Sequence, residues 1–186
     1  MFLLRPEAPT DAPAIEALLD EVFGVRRQHK TSYRYRVGIA PLRRLCLVAE
    51  KEGRLVGTIR YWPVRLGGEP ALLLGPVASA RGEAGNGIGR ALIETSLDRA
   101  ARLGHDLVLL VGDPAYYARF GFAPAPPAIR MPGEDPARLQ YKRLGVAERP
   151  LPTGILRRAD ADRAGGDCSP DSFALDPGCA GRSAVR

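Results

Sequence analysis

The 186-residue sequence predicts a mixed α/β fold (α+β), in which a central sheet starts as an antiparallel meander and continues through one parallel β-α-β crossover with flanking helices. Three apolar runs, at 45–50, 55–64 and 70–79, are separated by short glycine-containing turns, which is typical of antiparallel strands. An amphipathic pattern at 87–103 predicts a helix, and the continuous apolar run at 107–111 predicts a strand covered on both faces. The strands on either side of that helix should be parallel, because such crossovers are right-handed.

The remaining elements follow from shorter patterns. Residues 2–4 predict a first strand, and residues 138–144 a late one. Between them, a helix is indicated by apolar residues at the i, i+3, i+4, i+7 spacing, and the basic stretch at 31–38 suggests another short helix. The apolar face of the first helix comprises Ile15, Leu18, Leu19 and Val22.

A change in composition divides the chain into two parts. Residues 1–149 alternate between periodic apolar segments and turns, and we expect them to form one domain. Residues 150–186 are rich in Ser, Pro, Gly and Asp without apolar periodicity, and we expect a largely disordered C-terminal tail.

A glycine-rich turn, Gly85-Asn86-Gly87-Ile88-Gly89-Arg90, joins the strand at 70–79 to the helix at 87–103. Glycine lets the backbone curl tightly and bring its N–H groups close to an anion. The start of a helix adds unpaired N–H donors and a partial positive charge. The corner is therefore predicted to hold a phosphate group.

Two common phosphate-binding motifs do not fit this corner. A Walker A loop counted from Gly82 would need Lys and then Ser or Thr where Ile88 and Gly89 stand. A dinucleotide fingerprint would need Gly or Ala at its last place, which Arg90 or Leu92 occupies. These spacings exclude both readings.

The remaining pattern resembles motif A of the GNAT superfamily, the acetyl-CoA-dependent N-acetyltransferases. That motif reads Gln/Arg-x-x-Gly-x-Gly/Ala, and Gly87 and Gly89 fall on its glycine places, whereas Ala84 departs from the Gln/Arg place. The resemblance implies that the backbone of this loop binds the diphosphate of coenzyme A. The loop residues implied are Ala84, Gly85, Asn86, Gly87, Ile88, Gly89 and Arg90.

A second stretch, Gly112-Asp113-Pro114-Ala115-Tyr116-Tyr117-Ala118-Arg119-Phe120-Gly121-Phe122, resembles one bacterial branch of predicted N-acetyltransferases. Counting back from its Gly-Phe end places Tyr117 on the family's tyrosine position. The resemblance implies that Tyr117 is the general acid that protonates the departing thiolate, and Tyr116 is the alternative. Asp113 follows the parallel strand at the sheet edge that carries the glycine loop, and we include it among the cofactor-binding residues.

Gly75-Pro76 lies inside the predicted strand that leads to the glycine loop. Because proline cannot donate to a strand ladder, pairing should be interrupted near it. In the GNAT family a splay at this place admits the pantetheine arm, which implies contacts with Val77, Ala78 and Ser79. A free N–H near Val77 or Ala78 is our candidate for stabilising the oxyanion.

The formal net charge is +6, and the segment 21–50 contains seven Lys or Arg side chains and no acidic residue between its terminal glutamates. A solvated face is the ordinary explanation for such a run, and attraction for a polyanionic cofactor or an acidic substrate is the functional one. These basic residues are Arg26, Arg27, Lys30, Arg34, Arg36, Arg43 and Arg44.

The cysteines give no metal or disulfide pattern. Cys46 lies in an apolar run and should be a buried strand residue, whereas Cys168 and Cys179 fall in the predicted tail. An odd count without ligand spacing favours a reducing cytoplasm and no metal. Because Arg5 follows only four residues, we expect no secretory hydrophobic region, and no apolar run is long enough to span a bilayer.

The resemblance to the GNAT superfamily, with the cysteine pattern, implies a cytoplasmic N-acetyltransferase that moves an acetyl group from acetyl-CoA to a primary amine by direct attack in a ternary complex. The acceptor is expected to be a small-molecule or peptide amine, and a homodimer is compatible with the sequence. No general base is assigned, since His29, Glu69, His105 and Asp113 each lack a clear role. Two alternatives stay open: a CoA-binding or regulatory module without catalysis, and, less favoured, a basic nucleic-acid-binding module.

Overall fold

The computed structural model describes residues 1–145 and 150–159 of the chain. The α-helices of this part are α1 (Ala12–Phe23), α2 (Thr31–Arg34), α3 (Ile88–Arg102) and α4 (Pro114–Tyr117). Its strands are β1 (Leu3–Pro6), β2 (Leu47–Lys51), β3 (Arg54–Leu66), β4 (Glu69–Ser79), β5 (Leu107–Val111), β6 (Ala123–Pro124), β7 (Ile129–Arg130), β8 (Leu139–Arg143) and β9 (Gly154–Arg158).

The strands form one mixed sheet in the order β1-β2-β3-β4-β5-β8-β6. β1 to β4 pair with their neighbours in antiparallel fashion, which is the predicted meander. β4 and β5 are parallel and are connected through α3, and β8 then returns antiparallel beside β5. The predicted fold class is confirmed.

The sheet is covered on both faces. One face packs against α3, whose buried side chains include Leu92, Ile93 and Leu97, so this helix carries the apolar stripe that its sequence pattern predicts. On the opposite face, Ile15, Leu18 and Leu19 of α1 pack against Val48 of β2 and Ala78 of β4. Each such buried aliphatic side chain stabilises the fold by roughly 1.5–3 kcal/mol relative to exposure.

Strand β9 lies in the segment that the sequence assigns to the tail. It pairs antiparallel with the end of β3, at Val64–Leu66, and parallel with β7. Leu156 of β9 is buried in the core. The described fold therefore extends past position 150, and the predicted disorder of the tail concerns residues 160–186, which lie outside the described residues.

Candidate functional site

A gap opens between the two parallel strands at the centre of the sheet. β4 and β5 pair only at Leu72 with Val108 and at Leu73 with Leu109, although β4 continues to Ser79. Beyond that point the strands separate. The side of β4 that faces away from β3 then has no strand partner among the described residues.

The bend that separates these strands lies at Gly75-Pro76. Ile59 pairs with Val77 and Tyr61 with Leu74, so two residues of β4 oppose one residue of β3. This is the β-bulge arrangement, in which the strand with the extra residue bends. The interruption predicted from the proline is present.

A cavity of about 520 Å³ occupies the gap. Residues 73–77 of β4 form one wall, residues 111–113 and Tyr117 form the second, and parts of the segment 23–36 form the third. Glu134 and Arg138 also line it. A second cavity, of about 570 Å³, lies beside α3 and β8, and none of the predicted site residues lines it.

Tyr117 faces the first cavity because of how α4 begins. The Asp113 side chain caps α4 by accepting a hydrogen bond from the Ala115 N–H at 3.0 Å, and Pro114 occupies the first helical turn. The Tyr117 ring then packs on Gly112 so closely that a Cβ there would lie 2.2 Å from a ring carbon. Burial, reinforced by Tyr116 and opposed by Arg138, raises the pKa of Tyr117 to about 12.

Tyr116 points elsewhere. Its ring stands at 90° to that of Tyr117, with 5.0 Å between centroids, and it does not line the cavity. Its hydroxyl lies 3.3 Å from the position that a Cβ on Gly89 would take, at the start of α3. The adjacent tyrosines therefore lie in different places: Tyr117 lines the cavity, and Tyr116 lies beside the glycine loop.

The glycine loop has the geometry of an anion cradle. Gly85 and Gly87 have φ of +84° and +78°, and a Cβ on either would meet only open space. The Ala91 N–H donates to the Gly87 carbonyl at 2.9 Å, which is the first bond of α3. The amides ahead of it, those of Ile88, Gly89 and Arg90, are the donors that a helix start leaves free.

Two of the predicted residues, Ile88 and Ala78, can contribute only their backbone to a ligand, because their side chains are buried in the core. The Ile88 side chain is buried under the sheet, and Ala78 packs against α1. The Asn86 amide donates to Glu83 at 2.7 Å, and the Arg90 guanidinium donates to Glu94 at 2.8 Å. The remaining predicted residues have these positions: Val77 lines the cavity, Ser79 ends β4, and Ala84 follows a 3-10 turn before the loop.

Residues of the basic segment also line the cavity. The sequence alone did not indicate which of them would do so. His29, Lys30, Tyr33 and Arg36 line the cavity. Arg27 is also buried, so the solvated-face interpretation is wrong for this residue. The sequence signal was the run of cations without acidic neighbours, but it could not show which of them turn inward.

The described residues contain no group of three His, Cys, Asp or Glu side chains that could hold a metal ion. Cys46 is a buried free thiol, as predicted, but it lies just before β2 and not within the strand. His105, which precedes β5, does not line the cavity. No helix in the described part of the chain is both long enough and apolar enough to cross a bilayer.

Comparison with known proteins identifies the family. A family model described as an acetyltransferase (GNAT) domain matches residues 4–125. This match covers more than half of the chain, so the chain belongs to the GNAT family and is an acyltransferase of that type. The uncharacterized N-acetyltransferase YhbS of Escherichia coli K12 is 36% identical over 124 residues, which cover 65% of this chain and 73% of the relative.

Solved structures show the same fold with coenzyme A ligands. The chain resembles the crystal structure of the GNAT family N-acetyltransferase YhbS from Escherichia coli in complex with CoA, with a TM-score of 0.73, 32% identity and coverage of 86% of this chain and 90% of that one. It also resembles a GNAT family acetyltransferase from Brucella melitensis in complex with acetyl-CoA, with a TM-score of 0.66, 28% identity and coverage of 84% and 95%.

Proposed function

We propose that this protein transfers the acetyl group of acetyl-CoA to a primary amine by direct attack in a ternary complex. The observation that carries the proposal is the meeting of three features at one sheet edge: the glycine loop, the gap between β4 and β5, and Tyr117 in the wall of that gap. The relatives solved with CoA and acetyl-CoA support the choice of cosubstrate.

The residues present fit this cosubstrate. The free amides at the start of α3 suit a diphosphate, and the open space above Gly85 and Gly87 leaves room for it. The unpaired side of β4, at Val77 to Ser79, suits the amide groups of an extended arm, because peptide-like donors and acceptors pair with a free strand edge. When bound, the cosubstrate supplies an acetyl thioester.

In this proposal Tyr117 donates its proton to the sulfur as the thiolate leaves. A pKa of about 12 keeps the phenol protonated throughout the neutral range. Transfer to a thiolate whose conjugate acid has a pKa of about 8.5 in water would be uphill by about 5 kcal/mol. The same dry cavity also raises the basicity of the thiolate, so we expect the phenol to hydrogen bond to the developing charge before the proton moves.

The other groups act through the backbone and through water. A free N–H of Val77 or Ala78 stabilises the oxyanion of the tetrahedral intermediate. The amine loses its proton to water that reaches the cavity, and no side chain is assigned as the base. We expect the protein to act in the cytoplasm, because Cys46, the cysteine in the described part of the chain, is a free thiol.

The test is to incubate the protein with acetyl-CoA and a panel of primary amines and to measure the release of free CoA thiol. The matched variants are Tyr117→Phe and Tyr116→Phe, and the first should lower kcat by roughly 10²–10⁴-fold while acetyl-CoA binding survives. Release of CoA at the wild-type rate by Tyr117→Phe would remove this residue from the acid role. Binding of acetyl-CoA without release from any amine would favour the alternative of a CoA-binding module.

A further inference from the structure

A buried guanidinium in the wall of the cavity has no counter-ion among the described residues. Arg36 follows α2, and its Nε and Nη1 atoms are buried without a hydrogen-bond partner among the described residues. Its guanidinium carbon lies 4.4 Å from the centre of the Tyr33 ring and 5.9 Å from that of Trp62. Its Nη2 atom lies beside Gly75, 3.3 Å from where a Cβ on that residue would be.

The neighbouring arginines, by contrast, are neutralised. Arg27 pairs with Glu16 and Asp20, the latter at 2.8 Å. Arg60 pairs with Glu7 at 2.8 Å and with Glu16 at 3.1 Å. Arg27 and Arg60 thus each have carboxylate partners, whereas Arg36 forms no ion pair with the described residues, although Asp113 and Glu134 line the same cavity.

An enclosed guanidinium without an anion is costly, because burial disfavours the charged form. Burial lowers the pKa of Arg36 to about 10, opposed by the charge and hydrogen bonding of Tyr33 and reinforced by the nearby charges of Arg27 and Arg60; the group stays charged at neutral pH. A guanidinium donates short, charge-assisted hydrogen bonds to a carboxylate, and the Nη2 atom beside Gly75 is the candidate donor.

We propose that Arg36 binds a carboxylate on the acceptor, so that the amines this enzyme acetylates are small amino-acid-like compounds. This inference rests on the proposed function. The negative charges of the cosubstrate lie on its phosphate groups, which the proposal places at the glycine loop, whereas the thiol-bearing end that reaches Gly75 is uncharged. An anion beside Gly75 therefore belongs to the acceptor.

The test compares each amino acid with its own amide. Glycine, L-alanine and L-phenylalanine are assayed against glycinamide, L-alaninamide and L-phenylalaninamide by CoA thiol release. The amides have less basic amines and offer more neutral nucleophile near pH 7, so a preference for the acids has to come from binding. We expect kcat/KM to favour the acids at least tenfold in the wild-type protein.

The variants assign this preference to one residue. Arg36→Met should abolish the preference for acids by raising the KM for the amino acids. Arg36→Lys should retain part of the preference, and the acetyl-CoA Kd should be unchanged in both variants. Arg34→Met, which removes an equal charge from an exposed position of α2, should behave as wild type. Because Arg36 has buried unpaired nitrogens, Arg36→Met should not lower Tm, whereas a purely structural arginine would.

Three results would overturn the inference. If the wild-type protein acetylates amides and acids equally well, it does not bind the acceptor through a carboxylate. A preference for phosphoethanolamine over ethanolamine, without one for the amino acids, would replace the carboxylate by a phosphate. If no amine is acetylated, it is the proposed function that fails. The anion site is then tested separately: amino acids added in the presence of CoA should raise the Tm of the wild-type protein but not of Arg36→Met, and the absence of this difference would reject the site.

Discussion

Replacing Gly112 by Ala moves Tyr117 without touching its hydroxyl. The backbone at Gly112 does not have a positive φ, so alanine is compatible with the local conformation. Its Cβ would lie 2.2 Å and 2.7 Å from two Tyr117 ring carbons and 3.2 Å from Leu110 Cδ1. To reach an ordinary contact of about 3.5 Å, the ring has to retreat by roughly 1.3 Å.

The size of the effect follows from this displacement. The ring of Tyr117 is surrounded by Tyr116, Phe120 and Phe122, with centroids 5.0, 6.3 and 5.9 Å away, so it cannot retreat without disturbing α4 or entering the cavity. We expect kcat to fall by about 10²-fold, as for other displacements of about 1 Å at a reacting group. Overpacking should lower the free energy of unfolding by about 1–3 kcal/mol.

The assay is CoA thiol release, with acetyl-CoA Kd from calorimetry and stability from urea denaturation. Gly82→Ala is the matched control, because a Cβ there meets nothing within 4 Å. In the Gly112→Ala/Tyr117→Phe double variant the losses of kcat should not add, because the first change displaces the Tyr117 hydroxyl and the second deletes it. Wild-type turnover by a folded Gly112→Ala protein, or fully additive losses, would refute the reasoning.

Three further predictions concern other parts of the same architecture. Gly57→Ala places a Cβ 2.6 Å from Ile88 Cγ2, so it should shift the start of α3 and weaken acetyl-CoA binding in calorimetry; unchanged affinity would contradict this coupling. The pKa of Tyr117 is raised to about 12, so the plot of wild-type kcat against pH should not fall near pH 10, where an ordinary phenol would ionise. A fall near pH 10 in the wild-type protein that is absent from Tyr117→Phe would contradict this prediction. Burial also raises the pKa of Tyr61, so its contribution to stability is complete below pH 10 and is lost as the pH rises further. Tyr61→Phe should be about 1 kcal/mol less stable at pH 8, having lost the bond to Ser96, but should lose less stability between pH 9 and 11 in urea denaturation; an equal alkaline loss would contradict this.

The sheet and its crossover were predictable because their signals are local. Alternating or continuous apolar runs with glycine turns define β2 to β5, and the stripe of α3 has helical spacing. Strand β9 was missed because Ile155 and Leu156 are an isolated apolar pair among polar residues, and their strand conformation depends on pairing with β3 and β7.

In the candidate site too, some features could be predicted from local sequence and others depend on the folded chain. The glycine loop follows from the spacing of Gly85, Gly87 and Gly89, since their conformations are encoded by the residues themselves. The inward turn of Arg36 depends on where Tyr33, Trp62 and the bulge lie in space, and the sequence shows it only as one cation in a basic run. Which positive charges are neutralised is likewise a property of the folded chain.

A crystal structure of the protein with CoA would test the central claim most directly. We predict the diphosphate on the amides of Ile88, Gly89 and Arg90, the arm along the unpaired side of β4, and the sulfur within hydrogen-bonding distance of the Tyr117 hydroxyl. A ligand seated beside α3 and β8 instead, or a sulfur out of reach of Tyr117, would contradict it.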